Sequence, residues 1–430
     1  MTLSFSALNF LEKVYEKIFK EKITLTVKIF FQNLTYIILG YGVAATLIFI
    51  FQILVGRILG PQEYGKYALI DSTAAFLSIF MTLGVSTAAI KYNSEKEDYL
   101  RQQKIISSSY FATLIISSFF AFLFFIFSNL FSETFSISPL VFLTAVIFSV
   151  CYALYLLAMD SLSGLHQMKR IALFRALYGF LVLAFLALFL FFSHISFITV
   201  SLIISFVYLA IFLLITANIR NYISFKVDKA WLKNLLEYGL YAASGSFLIV
   251  FLPNLSKIMV FKFLTLFDVG IYNAYYFSSL SIVILFNTIF ITVFFPTASK
   301  YSQKSLILIK VKKVTPHLFV IGIPILFIIQ ILVLKFFGKQ YLIDYWLMFL
   351  FAVSGIVFFL YSLYVWLFYS KGIAQARRVV FLTILVFVIN VLLNFYLIPI
   401  LFLRGAVISL ILTYLFGWIY LLCFKRKLID

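Results

Sequence analysis

The chain has 430 residues, of which 64% are hydrophobic, and it carries a formal net charge of +19. A soluble domain cannot bury that much apolar surface, so the composition excludes a soluble enzyme and predicts a protein whose solvent is the bilayer. The positive charge does not indicate a nucleic-acid-binding protein, because the Lys and Arg residues stand in short loops between long apolar runs. Backbone groups in lipid must bond internally, so these runs predict an all-α integral membrane protein.

The first part of the chain, 1–32, predicts a cytoplasmic or interfacial helix with apolar residues on one side and charged residues on the other. About twelve membrane-length spans follow, in two lobes of about six spans each. The predicted spans of the first lobe, 33–217, are 34–55, 67–90, 105–131, 139–159, 175–193 and 197–217.

A cytoplasmic linker, 218–235, leads to the second lobe, 236–425. Its predicted spans are 236–261, 272–296, 316–335, 343–367, 379–397 and 405–424, and a cytoplasmic tail, 426–430, follows. Most of the 34 Lys and Arg residues fall in alternate loops. This positive-inside pattern predicts a multi-pass protein of the inner (cytoplasmic) membrane with both termini in the cytoplasm.

Two segments of the first half recur in the second half. The segment 57–67, RILGPQEYGKY, aligns without a gap with 262–272, KFLTLFDVGIY, at an offset of about 205 residues. The segment 164–170, GLHQMKR, aligns with 372–378, GIAQARR, at nearly the same offset. With about six spans in each half, the lobes are predicted to be parallel repeats about an axis along the membrane normal. Such proteins usually bind their substrate where the halves meet, which favours a transporter.

Asp71 is the clearest candidate for function, because an ionised carboxylate within a span is expensive and should face protein or water. With Ser78 and Thr82 it lies on one face of the predicted second helix. The alternative is a structural carboxylate near the interface. Lys257, late in the seventh span, is the second candidate, together with its polar neighbours Asn254 and Ser256. A lysine there would bind an anionic headgroup as a point charge, or it would snorkel toward the interface.

Further candidates stand at the ends of these spans. Arg57 would line the outer mouth of a central cavity or anchor its helix at the interface. Asn273 and Tyr276 make the start of the eighth span polar, as is typical of a sugar-binding surface and also of helix packing. Glu63 and its repeat equivalent Asp268 are predicted to form ion pairs or helix caps.

No other site is indicated by the sequence. The three histidines have no metal-ligand spacing, and neither a catalytic set nor a phosphate-binding loop is present. The 27 tyrosines are expected to be mostly lipid-facing or interfacial, and no role is assigned to them. No cofactor is expected. Any work done by the protein would draw on an ion gradient, such as H⁺ or Na⁺, on substrate concentration or on a partner.

The segment 57–69, RILGPQEYGKYAL, resembles the element between the first two helices of Wzx-like polysaccharide flippases of the multidrug/oligosaccharidyl-lipid/polysaccharide (MOP) exporter superfamily. The segments 83–92, LGVSTAAIKY, and 269–274, VGIYNA, look like the close of the second helix and its second-half counterpart. The run from 397 to 406, with Pro399, Arg404 and Gly405, is similar to the link between the last two helices. The resemblance extends over about residues 33–425.

The resemblance implies twelve helices in two pseudo-symmetric lobes around a central cavity, the fold of multidrug (MATE) exporters. It also implies alternating access that moves an undecaprenyl-diphosphate-linked oligosaccharide to the outer leaflet for O-antigen, lipopolysaccharide or capsule biosynthesis. Asp71 and Lys257 would then lie near the cavity, with Lys257 on the diphosphate. Family members often have an Asp directly before the basic residue of the seventh helix, where this chain has Ser256.

Two other functions stay open. A cation-coupled multidrug exporter of the same superfamily would need an acidic cavity, and Asp71 is almost the only acid inside a span. A membrane glycosyltransferase or O-antigen ligase would need a catalytic acid or a large outer loop, which the sequence does not indicate. The expected partners are a lipid-linked oligosaccharide, the bilayer and possible polysaccharide polymerase machinery, with no nucleic acid.

Overall fold

The computed structural model describes residues 25–95, 98–135, 137–192, 195–224, 226–300, 304–370 and 373–423. Within these residues the regular structure is helical and no strand occurs. The all-α fold class that the apolar runs predict is therefore confirmed. Of the predicted N-terminal segment, residues 1–24 lie outside the described residues, as does the tail 426–430.

The helices of the first half are α1 (Leu25–Thr82), α2 (Val85–Ser94), α3 (Tyr99–Ile126), α4 (Ser128–Phe135), α5 (Pro139–Gly164), α6 (Met168–Phe192) and α7 (Phe197–Asn218). A single 3-10 turn, Arg220–Tyr222, leads toward the second half. The second half contains α8 (Lys229–Phe263), α9 (Leu266–Ser278), α10 (Leu280–Lys300), α11 (Lys304–His317), a π-helical turn (Leu318–Gly322), α12 (Ile323–Phe337), α13 (Tyr345–Tyr369) and α14 (Ile373–Cys423).

Short polar side chains fix where several helices begin. Five N-cap side chains accept hydrogen bonds from the first backbone N–H groups of their helices. They are Asp98 of α3, Ser138 of α5, Ser196 of α7, Asp228 of α8 and Asp344 of α13. These N–H groups have no partner inside the helix, so a side-chain oxygen at the cap satisfies them. Loop residues thus set the points at which the chain begins each of these helices.

Helix breaks occur at residues with positive φ. Gly60, with φ 69° and ψ 169°, interrupts α1 directly before Pro61. Glycine tolerates this conformation, and proline cannot donate the next helical hydrogen bond, so the sequence Gly-Pro turns the chain there. The loop predicted between spans 34–55 and 67–90 is therefore a single sharp break. Gly84, with φ 69°, separates α1 from α2, and Phe402, with φ 53°, interrupts α14.

Nine helical stretches within the described residues are long and apolar enough to cross a membrane. Two of them, 42–82 and 377–423, contain the breaks at Gly60 and Phe402 and are 41 and 47 residues long. Since about 20 residues suffice for one crossing, each of these two has the length for two. The predicted count of twelve spans in two lobes stays a prediction.

The described chain divides into two compact units. One unit is Val43–Asn273, and the other combines the described residues up to Gly42 with those from Ala274 onward. We call the first the 43–273 unit and the second the terminal unit. The 43–273 unit contains all of α8. In the terminal unit, α13 packs against α10, α12 and α14.

Small and aliphatic side chains hold α8 to the helices of the first half. Ala88 and Ala89 of α2, Ile105 and Ala112 of α3 and Leu235 of α8 share one buried apolar cluster. Alanines allow the helix backbones to approach closely, as is common in membrane proteins. The packing places α8 alongside α2 and α3, and so brings Lys257 into the same unit as Asp71.

Candidate functional site

The structure brings the two principal candidates together. Lys257 of α8 and Asp71 of α1 form an ion pair, with 3.9 Å between Nζ and Oδ2. Next to it, the Ser72 hydroxyl donates a hydrogen bond of 3.2 Å to the side-chain oxygen of Asn254. Adjacent residues of α1 therefore meet residues one turn apart on α8. Asp71 is thus paired with a cation of another helix.

The two members of this pair differ in exposure. The side chain of Lys257 is 4% exposed and that of Asp71 is 45% exposed. A buried ammonium group needs an anion close by, because taking its charge out of water is expensive. The exposed side of the Asp71 carboxylate needs water or polar groups rather than lipid. The pair thus consists of a buried cation and a half-exposed carboxylate.

A neutral network lies on the same helix as Asp71. Gln52 donates a hydrogen bond of 2.9 Å to the Tyr67 hydroxyl and accepts one of 3.2 Å from the Tyr64 hydroxyl. The two rings stack with their centroids 5.9 Å apart. Gln52 spans the break at Gly60 and links the two segments of α1. This network holds the segment that carries Asp71 against the one before it.

Four tyrosines of α5, α6 and α7 form a further group, which we call the tyrosine cluster: Tyr152, Tyr155, Tyr178 and Tyr208. Tyr178 and Tyr208 stack with centroids 5.0 Å apart and planes 5° apart. The Tyr155 ring lies 4.9 Å from that of Tyr208 and 5.7 Å from that of Tyr178. The Tyr152 ring lies 5.2 Å from that of Tyr208. Asp71 is close enough to interact electrostatically with Tyr152 and Tyr178.

Glycines allow close backbone contact on both sides of the ion pair along the sequence, between α1 and α9 and between the α1–α2 break and α8. A Cβ on Gly65 would overlap the carbonyl oxygen of Leu266, and one on Gly270 would overlap that of Pro61. At the other end, a Cβ on Gly84 would overlap the carbonyl oxygen of Gly239. Only glycine allows so close an approach. The ion pair therefore lies between two glycine contacts.

Aromatic rings and cations reinforce the contact next to Gly84. Lys91 of α2 places Nζ 3.9 Å from the centroid of the Tyr238 ring of α8. Tyr92 packs edge to face on Trp231, with centroids 5.4 Å apart, and the Arg101 guanidinium lies 5.2 Å from the Trp231 ring. Cations over aromatic faces attract by about 0.5–1 kcal/mol when exposed. This end of α8 is thus fastened to α2 and α3.

The remaining candidate residues have varied surroundings. Ser78 and Thr82 are buried, and their hydroxyls donate to backbone carbonyls of their own helix, at 2.8 Å to Ala75 and 3.1 Å to Ser78. Ser256 is fully buried, and its hydroxyl has no hydrogen-bond partner among the described residues. Arg57 is exposed.

Asn273 is buried at the end of the 43–273 unit, and Tyr276 is half-buried in the terminal unit. The structure does not test a substrate role for any candidate residue, so these roles stay predictions. The ion pairs or helix caps predicted for Glu63 and its repeat equivalent Asp268 are confirmed. Glu63 pairs with Lys66 at 2.6 Å, and Asp268 accepts hydrogen bonds from the backbone N–H and hydroxyl of Thr265 at 3.0 and 2.6 Å.

Sequence reasoning missed the tyrosine cluster and the partners of Gln52. Tyr152 and Tyr155 are one turn apart, and that spacing was the one local signal for a shared face. Tyr178 and Tyr208 come from separate helices, so only the fold brings them to the same place. In the described part of the chain, no three His, Cys, Asp or Glu side chains are grouped closely enough to hold a metal ion.

Comparison with solved structures shows the fold. The chain is similar to a multidrug resistance MATE family transporter of the MOP superfamily in an inward-facing conformation, with TM-score 0.66, 13% identity and coverage of 90% of this chain and 94% of that one. An outward-facing structure of such a transporter gives TM-score 0.61, 12% identity and coverage of 93% and 95%.

A MOP superfamily transporter from Pyrococcus furiosus, for which reversed polarity of the binding pocket suggests a different function, gives TM-score 0.58 at 14% identity. The match covers 95% of this chain and 100% of that one. No curated protein matches the chain. These likenesses confirm the MATE-like fold that the resemblance implied, and with it a multi-pass membrane protein.

The family is shown by a match to the sequence itself. Residues 30–302, which include the ion pair, the tyrosine cluster and the glycine contacts described above, match the model of a polysaccharide biosynthesis protein family. This stretch is more than half of the 430 residues. The predicted connection to polysaccharide synthesis is thereby confirmed, and the chain belongs to the polysaccharide biosynthesis protein family.

Proposed function

We propose that this protein is a flippase that moves undecaprenyl-diphosphate-linked oligosaccharides from the cytoplasmic to the outer leaflet by alternating access. The product would serve the synthesis of a surface polysaccharide such as O-antigen or capsule. The family supplies the connection to polysaccharide synthesis, and the fold is that of transporters. The protein would act in the inner membrane, with both termini in the cytoplasm, and would deliver its cargo to polymerase machinery.

The observation that carries this proposal is the buried Lys257 with its long, 3.9 Å contact to Asp71. At this length the pair lacks the short charge-assisted hydrogen bond that would stabilise it most. A diphosphate offers several strong acceptor oxygens, and a lysine ammonium binds phosphate as a point charge. A diphosphate that approached from the exposed side of Asp71 would therefore compete with that carboxylate for Lys257.

This competition provides a means of coupling to an ion gradient. Once the diphosphate takes Lys257, the Asp71 carboxylate is left near a second anion and needs a positive charge. A proton or Na⁺ would supply it. The proposed sequence is an exchange: the lipid diphosphate binds at Lys257 from the cytoplasmic side and leaves on the outer side, and the cation binds at Asp71 from the outer side and enters the cytoplasm down its gradient.

Export of cationic drugs is the second candidate, and the 45% exposure of the Asp71 side chain favours it. A half-exposed carboxylate beside tyrosine rings suits an organic cation. The two functions differ in what Lys257 does. Lys257 would attract a diphosphate and repel a cationic drug, so its removal should weaken flipping but preserve or improve drug export.

The test is carried out in cells that lack the protein, by measuring the amount of lipid-linked oligosaccharide and the leaflet that holds it. The proposal predicts accumulation on the cytoplasmic leaflet, which is reversed by the natural chain. Lys257→Gln should restore less than about a tenth of the flipping, because one charge-assisted contact is worth about 1.5–3 kcal/mol.

The matched control is Lys233→Gln, on the same helix. Lys233 forms an ion pair of similar length with Glu237, 3.7 Å, but its side chain is 75% exposed. This variant should restore flipping fully. Normal intermediate levels and normal surface glycan in cells without the protein would sink the flippase proposal. Hypersensitivity of those cells to cationic drugs would instead support drug export.

A further inference from the structure

The tyrosine cluster brings four phenol groups together within the 43–273 unit. Tyr155 is buried, and Tyr152, Tyr178 and Tyr208 are half-buried. The centroids of neighbouring rings lie 4.9–6.4 Å apart across three helices. A tyrosine combines an apolar ring face with a hydroxyl that both donates and accepts hydrogen bonds. The cluster is thus a surface with apolar faces and several hydroxyls close together.

The cluster adjoins the charged site. Asp71 interacts electrostatically with Tyr67, Tyr152 and Tyr178. Because the Asp71 carboxylate is half exposed, its open side must be reached by water rather than by lipid. Tyr152 and Tyr178 are half-buried as well, so part of each of these side chains is exposed. An anionic group held by Lys257 would lie next to Asp71, which is within electrostatic range of these rings.

The fold itself does not require phenols at these positions. The offset that places Gly164 on Gly372 places Tyr178 on Val386 and Tyr208 on Phe416. Val386 is fully buried in the second half, where no hydroxyl is needed at that position. The equivalent helices of the terminal unit thus pack with an aliphatic and an unhydroxylated aromatic side chain. The hydroxyls in the first half call for another explanation.

We infer that the tyrosine cluster is the subsite that binds the first sugar units of the lipid-linked oligosaccharide while Lys257 holds the diphosphate. Sugar rings have an apolar C–H face that packs on an aromatic ring and hydroxyls that bond to phenols. The inference rests on the proposed function and adds the part of the protein that recognises the glycan. It places glycan contacts on α5, α6 and α7 of the first half.

The experiment compares two probes on the purified full-length protein in detergent. One probe is the lipid-linked oligosaccharide extracted from cells that lack the protein, and the other is undecaprenyl diphosphate without sugar. Their affinities are measured by calorimetry, and their ratio reports the contribution of the sugar. The natural chain should bind the glycosylated lipid at least about tenfold more tightly, as expected for several hydrogen bonds of ordinary strength.

The variant Tyr178→Phe/Tyr208→Phe keeps both rings and removes two hydroxyls. It should lower the affinity ratio about three- to tenfold and leave the affinity for bare undecaprenyl diphosphate unchanged. Tyr178→Leu/Tyr208→Leu, which also removes the rings, should bring the ratio close to one. Tyr361→Phe, which alters a similar stacked tyrosine of the terminal unit, is the control and should leave the ratio unchanged.

Lys257→Gln separates this inference from the proposed function, because it should weaken both probes equally and preserve the ratio. If the natural chain binds both lipids but both tyrosine double variants keep its ratio, the sugar subsite is wrong and the flippase stands. A ratio of one in the natural chain overturns the subsite as well. If the natural chain binds neither lipid, both proposals fail. If Tyr178→Leu/Tyr208→Leu does not fold, Tyr178→Phe/Tyr208→Phe still tests the subsite.

Discussion

The two halves of the chain share a backbone contact but differ in the chemistry of the charged site. Gly65 meets the backbone at Leu266, and Gly270 meets it at Pro61. The offset that aligns Gly65 with Gly270 also aligns Pro61 with Leu266. The contact is therefore reciprocal, like the self-complementary interface of a two-fold dimer. Both halves use a glycine at the same position for the same purpose.

One or two turns away the equivalence ends. Lys257 corresponds to Gln52, and Asp71 corresponds to Tyr276. Gln52 bonds to two phenols of its own helix, whereas Lys257 pairs with a carboxylate of another helix. The repeated segments thus provide the same close helix packing in both halves, whereas the side chains at equivalent positions differ in charge. If this comparison holds, substitutions of the equivalent glycines should have similar effects in both halves. Substitutions of Lys257 and Asp71 should have different effects from substitutions of their equivalents.

The largest expected effect is at the ion pair. Asp71→Asn leaves the buried Lys257 without its carboxylate and should lower the free energy of unfolding by about 2–3 kcal/mol. Removing one partner of a fully buried pair costs about 3–5 kcal/mol, and the exposure of Asp71 reduces that cost. The measurement is denaturation of the purified protein in detergent.

A double-mutant cycle sharpens this prediction. Asp71→Asn combined with Lys257→Gln should cost less than the sum of the single changes, with a coupling energy of at least about 1 kcal/mol. The same cycle on the exposed Lys233 and Glu237 pair should give about 0–0.5 kcal/mol. Additive effects at Asp71 and Lys257 would mean that the two charges do not depend on each other.

The sequence predicts the helical fold better than it predicts the arrangement of side chains in the candidate site. Long apolar runs must form helices in lipid, and the repeat is visible as matching Gly and Tyr residues, so the fold class follows from one chain. Asp71 and Lys257 stand out because charges inside spans are rare. Their pairing does not follow, because it depends on how α1 and α8 are rotated against each other. The sequence gives no account of that rotation.

The sequence likewise does not show which hydroxyl groups are available to a ligand. Ser78 and Thr82 lie on the face predicted for them, yet their hydroxyls bond to carbonyls of their own helix. Ser and Thr often do this within helices, and sequence cannot tell such a hydroxyl from one that is available to a ligand. Among 27 tyrosines, the four of the cluster have no distinguishing pattern except the spacing of Tyr152 and Tyr155.

The reciprocal glycine contact gives the second prediction. Gly65→Ala and Gly270→Ala each place a methyl group on a carbonyl oxygen of the other half, so the backbones must separate. Each should lower the free energy of unfolding by about 1–2 kcal/mol, as overpacking does. The two losses should agree within about 0.5 kcal/mol. Gly42→Ala is the control, because a Cβ there meets nothing within 4 Å.

The neutral network of the first half gives a smaller effect. Gln52→Leu removes the hydrogen bonds to Tyr64 and Tyr67 and should cost about 1 kcal/mol, since each bond contributes about 0.5–1.5 kcal/mol and the phenols can find other partners. Flipping should persist, unlike in Lys257→Gln at the equivalent position. A Gln52→Leu variant that is stable but does not flip would show that the neutral side takes part in transport.

The smallest effect concerns helix starts. Ser138 caps α5 in the first half, and Asp344 caps α13 in the second, where Arg404 also bonds to its carboxylate at 2.8 Å. Burial raises the pKa of Asp344, but the hydrogen bonds from Arg404 and from the N–H groups of α13 outweigh it and hold the pKa below its ordinary value. A serine cap carries no such charge, so of these two equivalent caps only the one at Asp344 should be acid-sensitive.

A carboxylate with a lowered pKa stabilises the fold above the pKa of the unfolded chain, and this stabilisation is lost as the pH falls below about 4 through the folded-state pKa. Because Asp344 and Arg404 are 36% and 50% exposed, the gain should be below about 1 kcal/mol and should shrink in high salt. Arg404→Gln should flatten the loss of stability between neutral and acid pH, measured by denaturation in detergent. Ser138→Ala should lower stability by a similar amount at every pH, because its hydrogen bond carries no titratable group. If both variants lost stability equally between neutral and acid pH, the two caps would not differ in charge dependence. That result would contradict the difference in charge between the halves that is seen at Lys257.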